Sequence, residues 1–188
     1  MNILDTSINE HLQVVNSLSG IKKDIEALAT KAVDTLKSGG KILIMGNGGS
    51  AADSQHMAAE IIVRFKTERR ALPAIALSTD SSILTAAAND YSFDLIFARQ
   101  IEALASANDL VLGISTSGKS PNVLKGIESA KKAKCATAAL LGCGGGEIGR
   151  VVDTPVIVPS NNTPRVQECH ILIIHTICQI IDEAFNES

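Results

Sequence analysis

KILIMGNGGSAADSQHMAAEI, residues 41–61, is an apolar run that breaks into glycines and resumes as a helical pattern. A buried strand, a tight turn and a helix follow from that order. Gly46, Gly48 and Gly49 can take positive φ without steric cost and let a ligand approach the backbone, while the free amides opening the helix favour negative charge. The side chains of Asn47 and Ser50 can add hydrogen bonds there. His56 and Glu60 stand four residues apart and so share one helix face, which suits a catalytic or metal-binding pair. The plainer alternative is a helix capped by Ser50 that carries a solvated His/Glu pair.

Outward from this unit, short apolar runs recur at 73–78 (PAIALS), 109–114 (DLVLGI), 135–141 (CATAALL) and 155–159 (PVIVP), with helical segments between them. The alternation predicts right-handed β-α-β crossovers and a doubly wound α/β fold with a five-stranded parallel sheet, ligands binding at the carboxyl ends of the strands. Extra N-terminal helices are expected near 6–19 and 20–38, and a long C-terminal helix from about Pro164 to Phe185. Their apolar faces (Ile8, Leu12, Val15 and Leu18; Ile171, Ile174, Ile177, Cys178 and Ile181) exceed what one sheet face needs, which predicts subunit contacts. The whole chain, 1–188, reads as one domain, with 1–38 serving oligomerisation and 39–188 forming the ligand-binding core.

Composition narrows the ligand. With no Trp, one Tyr and a net charge of −3, the chain offers neither stacking platforms nor a basic face. Nucleic acid and anionic membranes are therefore not expected partners, and any phosphate must be recognised by a local site. The first residues lack the basic start and apolar core of a signal peptide, and no apolar run has the length of a membrane span, so a cytoplasmic location is expected. Cys135, Cys143, Cys169 and Cys178 form no C-x-x-C pair and read as reduced, mostly structural thiols.

A second strand–loop–helix unit, DLVLGISTSGKSPNVLKGI, places Ser115, Thr116, Ser117 and Ser120 before a helix that can begin at Pro121. Four hydroxyls at a helix entrance suit a phosphate. GISTSGKS, 113–120, also satisfies the Walker A formula, but the next strand ends without a magnesium-binding aspartate, and Asp80 would need a different topology. GNGGSA, 46–51, fits the relaxed dinucleotide pattern with Asp80 as a distant ribose partner, and GGGEIG, 144–149, fits it in what reads as a flexible connection. Both are weak matches, and the chain leaves little room for a dehydrogenase's substrate domain.

Taken together, GNGGSAADSQHMAAE, AAND, GISTSGKSPNV and TPRVQECHILIIH, in this order, resemble the sugar isomerase (SIS) domain family and within it the phosphoheptose isomerases. The resemblance spans residues 1–185. It implies a homotetramer with sites between subunits and conversion of sedoheptulose 7-phosphate to D-glycero-D-manno-heptose 7-phosphate at the entry to bacterial heptose synthesis for lipopolysaccharide or other surface glycans. Carried onto this chain, the family pattern makes Ser115, Thr116, Ser117 and Ser120 the phosphate loop. Asn47, Gly48, Gly49 and Ser50 would line the sugar, and Asn89 and Asp90 would hold hydroxyls. It implies one zinc ion on His56, Glu60, Gln167 and His175; the last two lie eight residues apart on one helix, about 80° in projection. His11 and His170 receive no role. Pro164 replaces an aspartate of some relatives, and Lys119 stands where relatives often carry Asn.

An aldose–ketose interconversion moves a proton between adjacent carbons through a cis-enediol and needs a base, an acid and charge stabilisation. The resemblance implies Glu60 as the base at C1 and His175 as the proton relay, with zinc polarising the carbonyl. The same carboxylate cannot be a firm metal ligand and a free base at one instant. The rival expectation is a noncatalytic SIS tetramer resembling the DnaA-associating scaffold, whose relatives lose the acid–base pair that this chain keeps. A sugar-phosphate-sensing module would normally bring a DNA-binding domain, and none fits here.

Overall fold

The computed structural model describes residues 2–186. Helix α1 (Ile3–Ser17) passes through a 3-10 turn into α2 (Lys22–Lys37), and the chain then alternates: β1 (Ile42–Gly46), α3 (Gly49–Ile62), β2 (Ala74–Ala76), α4 (Ser81–Asp90) and α5 (Ile96–Leu104). It continues through β3 (Leu110–Ser115), α6 (Pro121–Lys132), β4 (Ala136–Leu141), the short α7 (Ile148–Val151), β5 (Thr154–Ile157) and the closing α8 (Thr163–Phe185). All strand pairs are parallel, in the order β2-β1-β3-β4-β5. This is the doubly wound sheet that the alternation predicts. Strand β2 is shorter than its apolar run because it pairs on one side only, three residues deep.

Every residue of β1 and β3 is buried, as expected of strands covered on both faces. Side chains alternate between two apolar layers. Ile42, Ile44, Leu110, Leu112 and Ile114 face α2, α3 and α8, whereas Leu43, Met45 and Val111 face α5 and α6. Strand order reverses between β1 and β3, where Gly46 lies in register with Ile114. The loops that follow these two strands therefore open into one crevice, the position where ligands bind in such sheets.

The apolar face of α8 is a correction. Ile174, Ile177, Cys178 and Ile181 are all buried within their own chain, against the sheet, α2 and α3. Their stripe is wide because α8 lies in the groove between two helices and meets three surfaces. A glutamate at Ile174 or Ile181 would put a carboxylate into the core and unfold the chain instead of separating subunits. Helix α2 likewise packs Leu28, Ala32, Val33 and Leu36 into the same core. Helix α1, by contrast, keeps an apolar surface, with Ile8 47% and Leu12 51% exposed. Among the described residues no helix is long and apolar enough to cross a membrane.

Candidate active site

At the end of β1 the chain turns so tightly that a Cβ on Gly46 would meet the Ser50 carbonyl oxygen at 2.7 Å. Of the three glycines only Gly48 has positive φ, at 56°; it caps α3, and Ser50 lies inside the helix, buried, instead of capping it. A Cβ on Gly49 would strike the side-chain amide of Gln167 at 2.6 Å, so α8 presses that amide directly on the glycine loop. Asn47 exchanges two amide hydrogen bonds of 2.8 Å with Asn122, which ties the glycine loop to the entrance of α6. Each amide keeps one further N–H for another acceptor.

In the second loop Ser115 Oγ lies 2.9 Å from Ser120 Oγ and 3.5 Å from Ser117 Oγ. Ser120 is the N-cap of α6, yet its hydroxyl does not bond the helix backbone, and Pro121 occupies the first turn. The hydroxyls thus converge on one another at the entrance of α6, where the positive end of the helix favours an anion; Pro121 has no N–H there, and Val123 N–H is taken by Asn122 Oδ1 at 2.9 Å. Residues 144–149 are no flexible connection: Gly118, at φ 65°, and Gly146 lie back to back, with no room for a Cβ on either. Ile148 N–H donates to the Gly118 carbonyl at 3.1 Å and completes the brace. Lys119 stands exposed in the loop, ahead of the helix. Asp80, the candidate partner of both nucleotide patterns, caps α4 by accepting from Ile83 N–H at 2.9 Å.

Helices α3 and α8 bring the sequence-derived pair together with a third group. His56 Nε2 lies 3.0 Å from Glu60 Oε1, and His175 Nε2 lies 3.4 Å from His56 Nε2 with the rings edge to face. Asp53, one turn before His56, is half-buried; burial raises its carboxyl above the ordinary range, partly opposed by His56, and one oxygen has no protein partner. Among the described residues no three His, Cys, Asp or Glu side chains form a ready metal cluster. The His56–Glu60–His175 chain is linked through pairs instead, and Gln167 meets the glycine loop above it. Asn89 and Asp90 are not brought in: they bond to each other at 2.9 Å at the exposed end of α4.

A sequence model of the SIS domain matches residues 8–142. The phosphoheptose isomerase of Citrifermentans bemidjiense is 56% identical over 180 residues, 95% of this chain and 94% of that one. The chain belongs to the phosphoheptose isomerases of the SIS domain family. Solved phosphoheptose isomerases share its fold: that of Neisseria gonorrhoeae superposes with a TM-score of 0.89 at 41% identity, covering 95% of this chain and 97% of that one. That of Francisella tularensis gives 0.93 at 37% identity, covering 97% and 100%. Family membership identifies the chain as an enzyme, an aldose–ketose isomerase, and leaves the Walker and dinucleotide matches as coincidences of spacing.

Several residues of the candidate site carry no signal of their own in the sequence. Asn122, 1% exposed, is betrayed only by its place after Pro121 at a helix entrance. Phe65, stacked on His175 at 5.2 Å, lies in an otherwise polar loop. The unassigned histidines have structural partners. His11 Nδ1 pairs with Glu168 at 2.7 Å, and His170, fully buried, donates from Nε2 to the Leu141 carbonyl at 3.2 Å. Burial lowers the His170 imidazole from 6.5 to about 4, against the opposing pull of that carbonyl, so it is neutral at pH 7. The four cysteines are free; three are buried, and burial pushes the Cys178 thiol up to about 12, with Glu60 and Asp182 adding to the effect.

Proposed function

We propose that this isomerase converts sedoheptulose 7-phosphate to D-glycero-D-manno-heptose 7-phosphate through a cis-enediol, with Glu60 and His175 as its acid–base pair. The observation that carries the proposal is the meeting of a carboxylate from α3 and an imidazole from α8 across His56, at 3.0 and 3.4 Å. In this reading Ser115, Thr116, Ser117 and Ser120 bind the phosphate at the start of α6. The open-chain ketose then runs from the serine loop to Asn47, Gly48, Gly49 and Ser50. Glu60 takes the C1 proton as the electron pair forms the C1–C2 double bond, and His175 carries a proton between the two oxygens. Return of a proton to C2 completes the aldose.

His56, Glu60, Gln167 and His175 are the residues that would hold zinc. Two nitrogens bound at about 2.0–2.1 Å to a tetrahedral ion stand about 3.4 Å apart, and the two imidazole nitrogens already have that spacing. Bound zinc would supply Lewis acidity toward the sugar carbonyl. Glu60 serves as base only while its carboxylate is free, so tight ligation and proton abstraction exclude each other in time. Asn89 and Asp90 belong to the proposal as hydroxyl ligands presented across a subunit contact. The homotetramer is supported by the exposed apolar face of α1. A cytoplasmic place in heptose synthesis for surface glycans follows from the substrate. The scaffold alternative has no comparable support.

Incubation of the purified protein with sedoheptulose 7-phosphate, followed by NMR, tests the central statement. Appearance of the aldose phosphate is expected; a chain that binds the sugar without converting it would sink the reading.

A further inference from the structure

The segment between α3 and β2, residues 63–73, is fastened to α8 by a single carboxylate. Asp182 Oδ2 accepts from the backbone N–H groups of Lys66 at 2.7 Å and Thr67 at 2.9 Å, while Oδ1 accepts from Arg69 Nε at 2.8 Å. The Arg69 and Asp182 side chains are 0% and 1% exposed. Arg69 uses its other nitrogens on main chain: Nη2 donates to the Glu60 carbonyl at 2.9 Å and Nη1 to the Arg70 carbonyl at 3.0 Å. The Glu60 carbonyl is among the last of α3, where helix carbonyls lack an internal partner.

A buried ion pair adds little net stability, because desolvation offsets the attraction. What this one supplies is geometry, since the planar guanidinium bridges two helices in one fixed fork. Directly before the anchor points, Phe65 stacks on His175 at 5.2 Å with 28° between ring planes, and Lys66 Nζ lies 5.2 Å over the same phenyl ring and donates to Gln179 Oε1 at 3.1 Å. His175 is half-buried and would otherwise have several staggered rotamers open to it. With Phe65 on one side and the edge of His56 on the other, the imidazole has one place to be.

We propose that Phe65 and Arg69, both held to α8 through Asp182, are positioning residues: Phe65 fixes the imidazole of His175, and Arg69 fixes the end of α3 that carries Glu60. The inference rests on the acid–base reading above for its catalytic part. Its geometric part stands alone.

The test uses the full chain, two Phe65 variants and one Arg69 variant, with kcat, KM and the histidine-ring NMR signals as readouts. The His175 signals are identified by their loss in His175→Gln. Phe65→Ala should lower kcat at least about tenfold with KM within about twofold, because misplacing a reacting group costs turnover more than affinity. It should also shift and broaden the His175 ring signals, whereas Phe65→Tyr, which restores the stack, should keep both near the parent. Arg69→Lys retains the charge but cannot span Asp182 and the Glu60 carbonyl together, and should likewise reduce kcat alone. Unchanged ring signals with parental kcat in Phe65→Ala, or a tyrosine variant as impaired as the alanine one, would overturn Phe65's role. A folded Arg69→Lys variant with parental kcat would overturn Arg69's. A parent protein without turnover would instead refute the acid–base reading, and the ring signals would still decide whether Phe65 holds the imidazole.

Discussion

The glycine loop after β1 and the serine loop after β3 leave the sheet side by side at its topological switch point, yet opposite layers of the molecule hold them. Helix α3, behind the glycine loop, packs on the face covered by α8, which supplies Gln167 and His175. Helix α6, behind the serine loop, packs on the other face with α5, and its loop is braced by Gly145 and Gly146. The first unit carries an imidazole two turns into its helix and a carboxylate one turn further on; the second carries hydroxyls and the Asn122 amide at its helix entrance. In the proposed reading, this repeated supersecondary unit is divided into a reacting half and a binding half, and the division follows which helix crosses over it.

That division breaks most readily at Glu60. Glu60→Gln should keep the fold and the phosphate affinity while lowering kcat at least about 10²-fold, as measured by the NMR assay. A larger change in KM than in kcat would place Glu60 with the binding half. The next largest effect concerns α8 where it meets the serine side through His170. Its folded pKa, about 4, lies below the unfolded 6.5, so the unfolded chain takes up a proton that the folded protein refuses. The stability this contributes is complete above pH 6.5 and is lost as pH falls toward 4. Urea unfolding should show about 2 kcal/mol less stability at pH 5 than at pH 7 from this group. If His170→Gln retains the same pH difference, other groups are responsible.

On the binding side, Gly118→Ala has nowhere to put its methyl group, 2.2 Å from the Gly145 carbonyl oxygen and at positive φ. It should raise KM about tenfold with little change in kcat, given the roughly 1–3 kcal/mol that such strain costs. A kcat loss of equal size would show that the brace also serves the reacting half. The smallest change is Ser117→Ala, which removes one hydroxyl and should raise KM about threefold to tenfold by the same assay. ATP titration sharpens the same half: tight, magnesium-dependent binding would restore the Walker reading of residues 113–120.

How far all this is legible in the sequence depends on how local the cause is. The three inner strands are legible because burial on both faces demands continuous aliphatic runs, the two edge strands through shorter apolar runs, and the start of α8 because Pro164 suits a first turn. The pairing of His56 with Glu60 follows from helical spacing alone. The destination of α8's apolar stripe is not legible, since Ile174 and Ile181 look the same whether they meet their own sheet or another subunit. The GGG run at 144–146 reads as slack chain, and only the approach of Gly118 from another loop shows that it is rigid. Asn122, Phe65 and Arg69 act through partners 75, 110 and 113 residues away, separations that no periodicity records.

The route of α8 across the sheet also sets a schedule. Of the described elements it is the last to leave the ribosome, yet it covers the layer begun by α2 and β1 and delivers Gln167 to the glycine loop and His175 to α3, both made more than a hundred residues earlier. Until residues 163–185 emerge, the layer of α2 and α3 lacks its third helix, and His56 and Glu60 lack the imidazole of His175. A nascent chain can therefore form the serine loop and its brace early, whereas on the proposed mechanism competence for proton transfer arrives only with the closure of the core, in one late step that joins the two ends of the polypeptide.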